Sequence, residues 1–258
     1  MVQEGWLDRS IRMPQRVYYH GPMFRYERPQ KGRFRQFSQL GIELFGAKEP
    51  AGDLEAIQLA HRIVTRWQLP QPWQLQLNTL GTKTSRDTFA QALLKYYAPY
   101  AADLSPMSRQ RLQDGKPMRI LDSKAEADHS INQGAPLLSD HLTAEETATF
   151  EELQRHLQAM GIPYTVNPRL VRGLDYYNGP VFEITARSNL LGVHQATILA
   201  GGRYDALSGQ LGGPASPAVG YVCLFVFLPM RQGVATSGSR LPRFGCSDGR
   251  RAWTGSPV

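Results

Sequence analysis

The 258 residues, 41% hydrophobic and 20% charged, suffice for one large domain or two modest ones and fit neither a disordered polyelectrolyte nor a membrane protein. The longest apolar run, Val219 to Met230, falls short of the roughly 18–20 residues of a spanning helix, and no basic start followed by an apolar stretch marks a secretory leader, so a cytosolic protein is expected. The formal net charge of +7 is uneven: residues 1–48 hold nine Lys or Arg against four acids, and residues 49–206 hold fifteen against seventeen.

Such a basic end suits phosphate-bearing ligands or a merely solvated basic face. Within it, Arg16 to Tyr26 and Phe34 to Phe45 are rich in aromatic and β-branched residues and read as two strands. Pro29 and Gly32 break the segment between them, which predicts an antiparallel pair joined by a long basic loop, Glu27 to Arg33. Pro50 to Leu69 reads as a helix with Asp53 as N-cap and Leu54, Ile57, Ala60, Ile63 and Val64 on one face. Trp73 to Leu80 reads as a short strand, and Ser85 to Leu104 and Pro106 to Leu112 as helices.

A last helix begins at Thr143, where Glu146 three positions on makes a capping box. Its buried stripe is Phe150, Leu153, Leu157 and Met160, and Gly161 ends it. Strands then return at Tyr164 to Val166, Val181 to Ala186 and Gln195 to Leu199. The final residues, 231–258, read as a disordered tail, unpatterned and rich in Gly, Ser, Pro and Arg from about Ser237. Two cysteines without CxxC spacing and six scattered histidines exclude a disulfide scaffold and point to no metal site.

Three clusters carry candidate chemistry. On the first hairpin Arg25 and Glu27 share a strand face, Lys31 and Arg33 sit on the loop, and Gln39, Gly41 and Glu43 alternate on the return strand. That set suits a phosphate clamp beside a site for a small amino-bearing ligand, and equally a polar hairpin with surface ion pairs. The second cluster is Arg172-Gly173-Leu174-Asp175-Tyr176-Tyr177, one fixed cation with two amphipathic rings. The third, Gly201-Gly202-Arg203-Tyr204-Asp205, lets backbone approach a ligand or simply makes a tight turn.

The segment GPMFRYERPQKGRFRQFSQLGIELFG (21–46) closely resembles motif 2 of the histidyl-tRNA synthetases, which are class II aminoacyl-tRNA synthetases. LVRGLDYY (170–177) and AGGRYDALSGQLGG (200–213) resemble that family's two histidine-specific segments, in the same order, and the likeness runs from about Pro14 to Tyr221. The resemblance implies an α+β fold, an antiparallel sheet flanked by helices with a helical insertion. Residues 1–84 and 161–230 would form the catalytic core and 85–160 the insertion. It also implies the activation of L-histidine by ATP, accompanied by Mg2+, and transfer of the histidyl group to tRNA(His).

By that resemblance Arg25 and Arg172 are catalytic, Arg25, Glu27 and Arg33 hold ATP, and Gln39, Glu43, Arg172, Tyr176, Tyr177 and Tyr204 surround histidine. Family members are homodimers. The family's motif 1 has no counterpart ahead of motif 2, and no anticodon-binding segment follows, so tRNA binding is expected to be weak. Where the family carries Gly-x-Glu-Arg after Tyr221, this chain has Val226 and Phe227 at the acid and base positions. The expectation is therefore a truncated ligase of reduced or lost activity, and the alternative a non-catalytic histidine-binding paralogue, similar to the regulatory subunit of ATP phosphoribosyltransferase.

Overall fold

The computed structural model describes residues 4–5, 7, 12–26, 34–69, 72–123, 125–171, 176–187 and 195–224. The two aromatic-rich segments form β1 (Gln15–Phe24) and β2 (Gln36–Phe45), paired antiparallel as expected, with Tyr19 opposite Gly41 and Val17 opposite Glu43. Helix α1 (Ala51–Arg66) follows, but its start differs from the expectation. Pro50 holds the N-cap position without a side-chain cap, and Asp53 is fully buried against Arg203. Of the expected stripe, Ile57, Ala60 and Val64 are buried, whereas Leu54 and Ile63 only flank the core.

Strand β3 (Trp73–Thr79) leads into α2 (Lys83–Tyr97), capped by Thr82, whose side chain accepts from Ser85 N. The helix expected to reach Leu104 instead tightens into a 3-10 turn at Ala98–Tyr100, because Pro99 has no amide to extend the α ladder. Helices α3 (Pro106–Gln113), α4 (Met118–Leu121), α5 (Glu126–Gln133) and α6 (Ala144–Ala159) come next. The capping box at Thr143 and Glu146 is present, and Gly161 takes a positive φ of 66° just past the helix end. Met160 is 41% exposed, so the buried stripe stops at Leu157.

The chain then forms β4 (Thr165–Val166), β5 (Pro180–Arg187), β6 (Gln195–Arg203), α7 (Leu207–Gln210) and β7 (Ala218–Leu224). Two expectations change here. Gly201-Gly202-Arg203 is the end of β6 and not a turn, and β7, unmarked in the sequence reading, is a strand between β2 and β6. The sheet order is β1-β2-β7-β6-β5-β3-β4, antiparallel throughout except for the β3–β4 pair.

Alternation along the strands sends Leu44, Leu77, Phe182, Ile184, Leu199 and Val219 to one face, where α1 and the Phe150, Leu153, Leu157 stripe of α6 cover them. Each such fully buried side chain stabilises by about 1.5–3 kcal/mol. On the opposite face a second core joins Val181, Tyr177 and Tyr204 to Phe89, Leu93 and Tyr97 of α2. The helical segment thus rests on the tyrosines that line the cleft described below.

Buried and half-buried polar groups stitch these layers. Glu146 accepts from Thr143 N at 2.6 Å and Ser85 Oγ at 2.7 Å, and also from Thr82 N, which ties the start of α2 to the start of α6. Burial works against its ionisation, but these donors outweigh it and hold the carboxyl down at about 2. Asp128, fully buried, likewise accepts from Ser105 N, Ser105 Oγ, Ser108 Oγ and Ser123 Oγ. Arg203, 0% exposed, bonds Asp53 at 2.7 Å and Asp205 at 2.9 Å, with Glu49 at 3.3 Å, which clamps β6 to α1. No described helix is long and apolar enough to cross a membrane.

Candidate active site

The open face of the sheet has a floor of glycines. Glu43 pairs with Gly220 across β2 and β7, Gly220 with Gly202 across β6, and Gly202 with Val181 across β5. The missing side chains are required. A Cβ at Gly220 would lie 1.7 Å from Glu43 Oε2, and one at Gly202 would press to 3.0 Å from the Tyr177 ring. The room left above this floor is a cavity of about 530 Å³, in the range of small-ligand sites, bordered by Tyr19, Glu43, Phe45, Tyr176, Tyr177 and Tyr204.

The polar end of the cavity is built around Glu43. Tyr204 Oη donates to Glu43 Oε2, and Tyr19 Oη donates to Oε1 at 3.5 Å. Burial pushes the Glu43 carboxyl above its usual range, while the Tyr204 and Tyr19 hydroxyls pull it back. Burial, then the adjacent Glu43 charge, pushes Tyr204 far above the usual phenol range, so it keeps its proton and serves as a donor. The result is a desolvated carboxylate that still has acceptor capacity on each oxygen for a ligand N–H. The ring walls are mutually packed: Tyr176 lies 4.8 Å from Tyr177 and 5.9 Å from Tyr204, while Phe45 meets Tyr204 edge-on at 6.3 Å. Such aromatic walls suit a flat ligand ring.

Of the expected histidine contacts, Glu43, Tyr176, Tyr177 and Tyr204 therefore converge on one cavity, and Gln39 joins through Tyr19, its Nε2 3.4 Å from the Tyr19 hydroxyl. Arg25 stands apart, at the far end of the hairpin. Its guanidinium lies 4.5 Å over the Phe37 ring and its Nε donates to Phe34 O at 2.8 Å, a pose that steadies it on the β1–β2 pair. Glu27, Arg33 and Arg172 lie outside the described residues. Tyr19 and Gly220 were not among the expected residues. Their signal was cross-strand register, which a sequence does not supply until the loop length and the partner strand are known.

An antiparallel sheet backed by helices on one face and carrying on the other a glycine-floored, carboxylate-and-tyrosine cleft beside the α2 packing is the fold of a class II aminoacyl-tRNA synthetase. The apo histidyl-tRNA synthetase of S. aureus matches it with a TM-score of 0.68 at 31% identity, over 87% of this chain and 52% of that one. A family profile described as histidyl-tRNA synthetase matches residues 7–224, and the chain belongs to that family.

Among curated relatives, the histidine–tRNA ligase of Gluconobacter oxydans is 48% identical over 81% of this chain and 49% of its own length. That of Synechococcus elongatus is 51% identical over 80% and 46%. The chain spans about half the length of the curated relatives it matches. The fold also recurs, at 23% identity and a TM-score of 0.55, in a Bacillus halodurans protein described as an ATP phosphoribosyltransferase regulatory subunit/histidyl-tRNA synthetase.

Proposed function

We propose that this chain carries the histidine- and ATP-binding core of a histidine–tRNA ligase. The observation that supports this most is the Glu43 carboxylate, held by two phenolic donors at the end of a cavity walled by Tyr176 and Tyr177. An imidazole presents one N–H and one ring acceptor, so a carboxylate and a tyrosine hydroxyl can read both nitrogens. The Gln39 carboxamide then meets the amino-acid end of the ligand.

In this reading the histidine carboxylate attacks the α-phosphorus of ATP and pyrophosphate departs. Arg25 and Arg172 hold the α-phosphate, where negative charge grows, and Glu27 and Arg33 meet the adenine and the outer phosphates. A preorganised cation at that point lowers the barrier, and its loss costs on the order of 3 kcal/mol. Mg2+ finds no group of three or more carboxylate, histidine or cysteine ligands among the described residues, so it is read as arriving with the triphosphate, and no residue here is assigned to it. Transfer to tRNA(His), homodimer formation, a cytosolic location and the division into a core with a helical insertion at 85–160 complete the reading.

Val226 and Phe227, at the positions where the family carries Glu and Arg, favour a second reading in which the pocket binds histidine without activating it. An apolar side chain cannot bind a triphosphate. The two readings separate on the Arg172→Ala variant. If the chain activates histidine, adenylate formation falls by far more than histidine affinity measured by calorimetry; equal loss of both would refute the role given to Arg172.

A further inference from the structure

Tyr19 joins two groups of the pocket's polar end. It lies on β1 opposite Gly41, and its ring occupies the space above that glycine: a Cβ there would fall 2.0 Å from Tyr19 Cζ. This seat places the hydroxyl between Gln39 Nε2 at 3.4 Å and Glu43 Oε1 at 3.5 Å. Both contacts are long, so the ring's seat on Gly41 does the positioning and the two bonds set its polarity.

That polarity is forced. A carboxylate only accepts, so the Tyr19 hydroxyl donates to Glu43, and its lone pairs remain for a donor. Gln39 must therefore turn its amide nitrogen to Tyr19, which leaves the Gln39 carbonyl oxygen as the atom with capacity for a ligand. The other carboxylate oxygen, Glu43 Oε2, takes the Tyr204 hydroxyl. Donation thus runs one way along the pocket floor, from Gln39 to Tyr19 to Glu43, with Tyr204 closing the far side.

We propose that Tyr19, seated on Gly41, is a positioning residue of the amino-acid pocket: a one-way hydrogen-bond relay that fixes the Gln39 carboxamide with its oxygen toward the ligand and keeps Glu43 an acceptor. The pocket then offers carbonyl and carboxylate oxygens to a ligand rich in N–H donors, an amino acid with a protonated amine and a ring N–H. The inference deepens the histidine reading and rests on it for the identity of the ligand. The orientation of Gln39 and the state of Glu43 are properties of the ligand-free chain.

The test uses Tyr19→Phe in the full chain, which keeps the ring on Gly41 and deletes the hydroxyl. In ligand-free protein labelled with 15N-Gln and 13C-Glu, the Gln39 side-chain amide signals should shift and exchange faster with solvent. The Glu43 carboxyl should titrate at a higher pH than in the parent, because a donor to its charged form has gone. Among the described residues Tyr19 and Tyr204 are the titratable groups bonded to Glu43, with Tyr176 beside both. Unchanged Gln39 and Glu43 signals would overturn the relay, whether or not histidine binds.

Calorimetry with L-histidine then reads the consequence, an affinity roughly five- to tenfold weaker in the variant, as for the loss of one net hydrogen bond. ATP affinity and the thermal midpoint should stay unchanged. Equal histidine affinity in parent and variant overturns the positioning role and leaves the histidine reading intact. Parent protein that binds no histidine overturns that reading, while the labelled spectra still decide the relay.

Discussion

Replacing Arg203 with Met should unfold this protein far more readily at neutral pH than in mild acid. The guanidinium is 0% exposed and meets Asp53, itself 0% exposed, through three contacts of 2.7–3.1 Å; it also donates to Asp205 Oδ1 and, through both terminal nitrogens, to Ala47 O. Met fills much of the volume but leaves the Asp53 charge buried without a partner. Breaking a buried pair on one side costs about 3–5 kcal/mol, a large part of the roughly 5–15 kcal/mol that holds a domain folded. For a unit of this size that corresponds to a fall in the thermal midpoint of roughly 6–20 °C.

The pH dependence has a definite sign. Burial already pushes Asp53 up to about 6, against the pull of Arg203, and burial with the Asp53 charge pushes Glu49 up to about 7. Without the guanidinium both carboxyls rise further in the folded state. An acid whose folded pKa lies above its unfolded value destabilises the fold as pH rises through that window. The variant's deficit should therefore be largest above pH 7 and shrink toward pH 4 to 5. Urea unfolding followed by tryptophan fluorescence at pH 5 and pH 7.5 measures both numbers. A deficit under about 1 kcal/mol at pH 7.5, or one equal at the two pH values, would refute the assignment of Arg203 as the charge partner that Asp53 requires.

Three further outcomes follow from particular contacts. Gly220→Ala places a Cβ against Glu43 Oε2 and 2.7 Å from Ile42 O, and should weaken histidine binding at least tenfold by calorimetry and lower the thermal midpoint as well, because the β2 backbone must also give way. Asp128→Asn should cost about 2–3 kcal/mol at pH 7, since an amide cannot accept all four serine donors. Those donors outweigh burial and hold Asp128 below the usual carboxylate range, so its contribution is present above about pH 4 and disappears as pH falls through the folded value; chemical denaturation across pH 2 to 7 should show parent and variant converging. Glu146→Ala removes the capping box and both links to α2, and amide exchange should speed up in the first turns of α2 and α6 together; faster exchange in α6 alone would contradict the coupling.

What the sequence disclosed depended on how local each signal was. The Thr143–Glu146 box and the alternation of Gln39, Gly41 and Glu43 are contained in four or five residues, and both appear as expected. Asp53 looked like an N-cap because a cap is the commonest local use of an aspartate before an apolar stripe; its partner Arg203 lies 150 positions away. Gly201 and Gly202 suited a close backbone approach to a ligand or a tight turn equally well, and their use in the strand is to let Tyr221 and Tyr177 approach it closely. Strand β7 was hidden in a long apolar run, Val219 to Met230, which shows no polar–apolar alternation to mark a strand. The amino-acid pocket was legible as residue types in family order, but its floor, Gly220 and Gly202 paired across β7 and β6 beside Glu43 of β2, exists only once the sheet is assembled.

The measurement that bears most directly on the central claim is histidine-dependent exchange of pyrophosphate into ATP by the purified 258-residue chain. Exchange above the histidine-free background, abolished by Arg172→Ala and reduced by Glu43→Gln, is the predicted result, and it would mean that Phe227 is tolerated in place of the family's arginine. Folded protein that binds histidine and ATP yet gives no exchange would contradict the claim of activation and leave a histidine-binding protein of the same family.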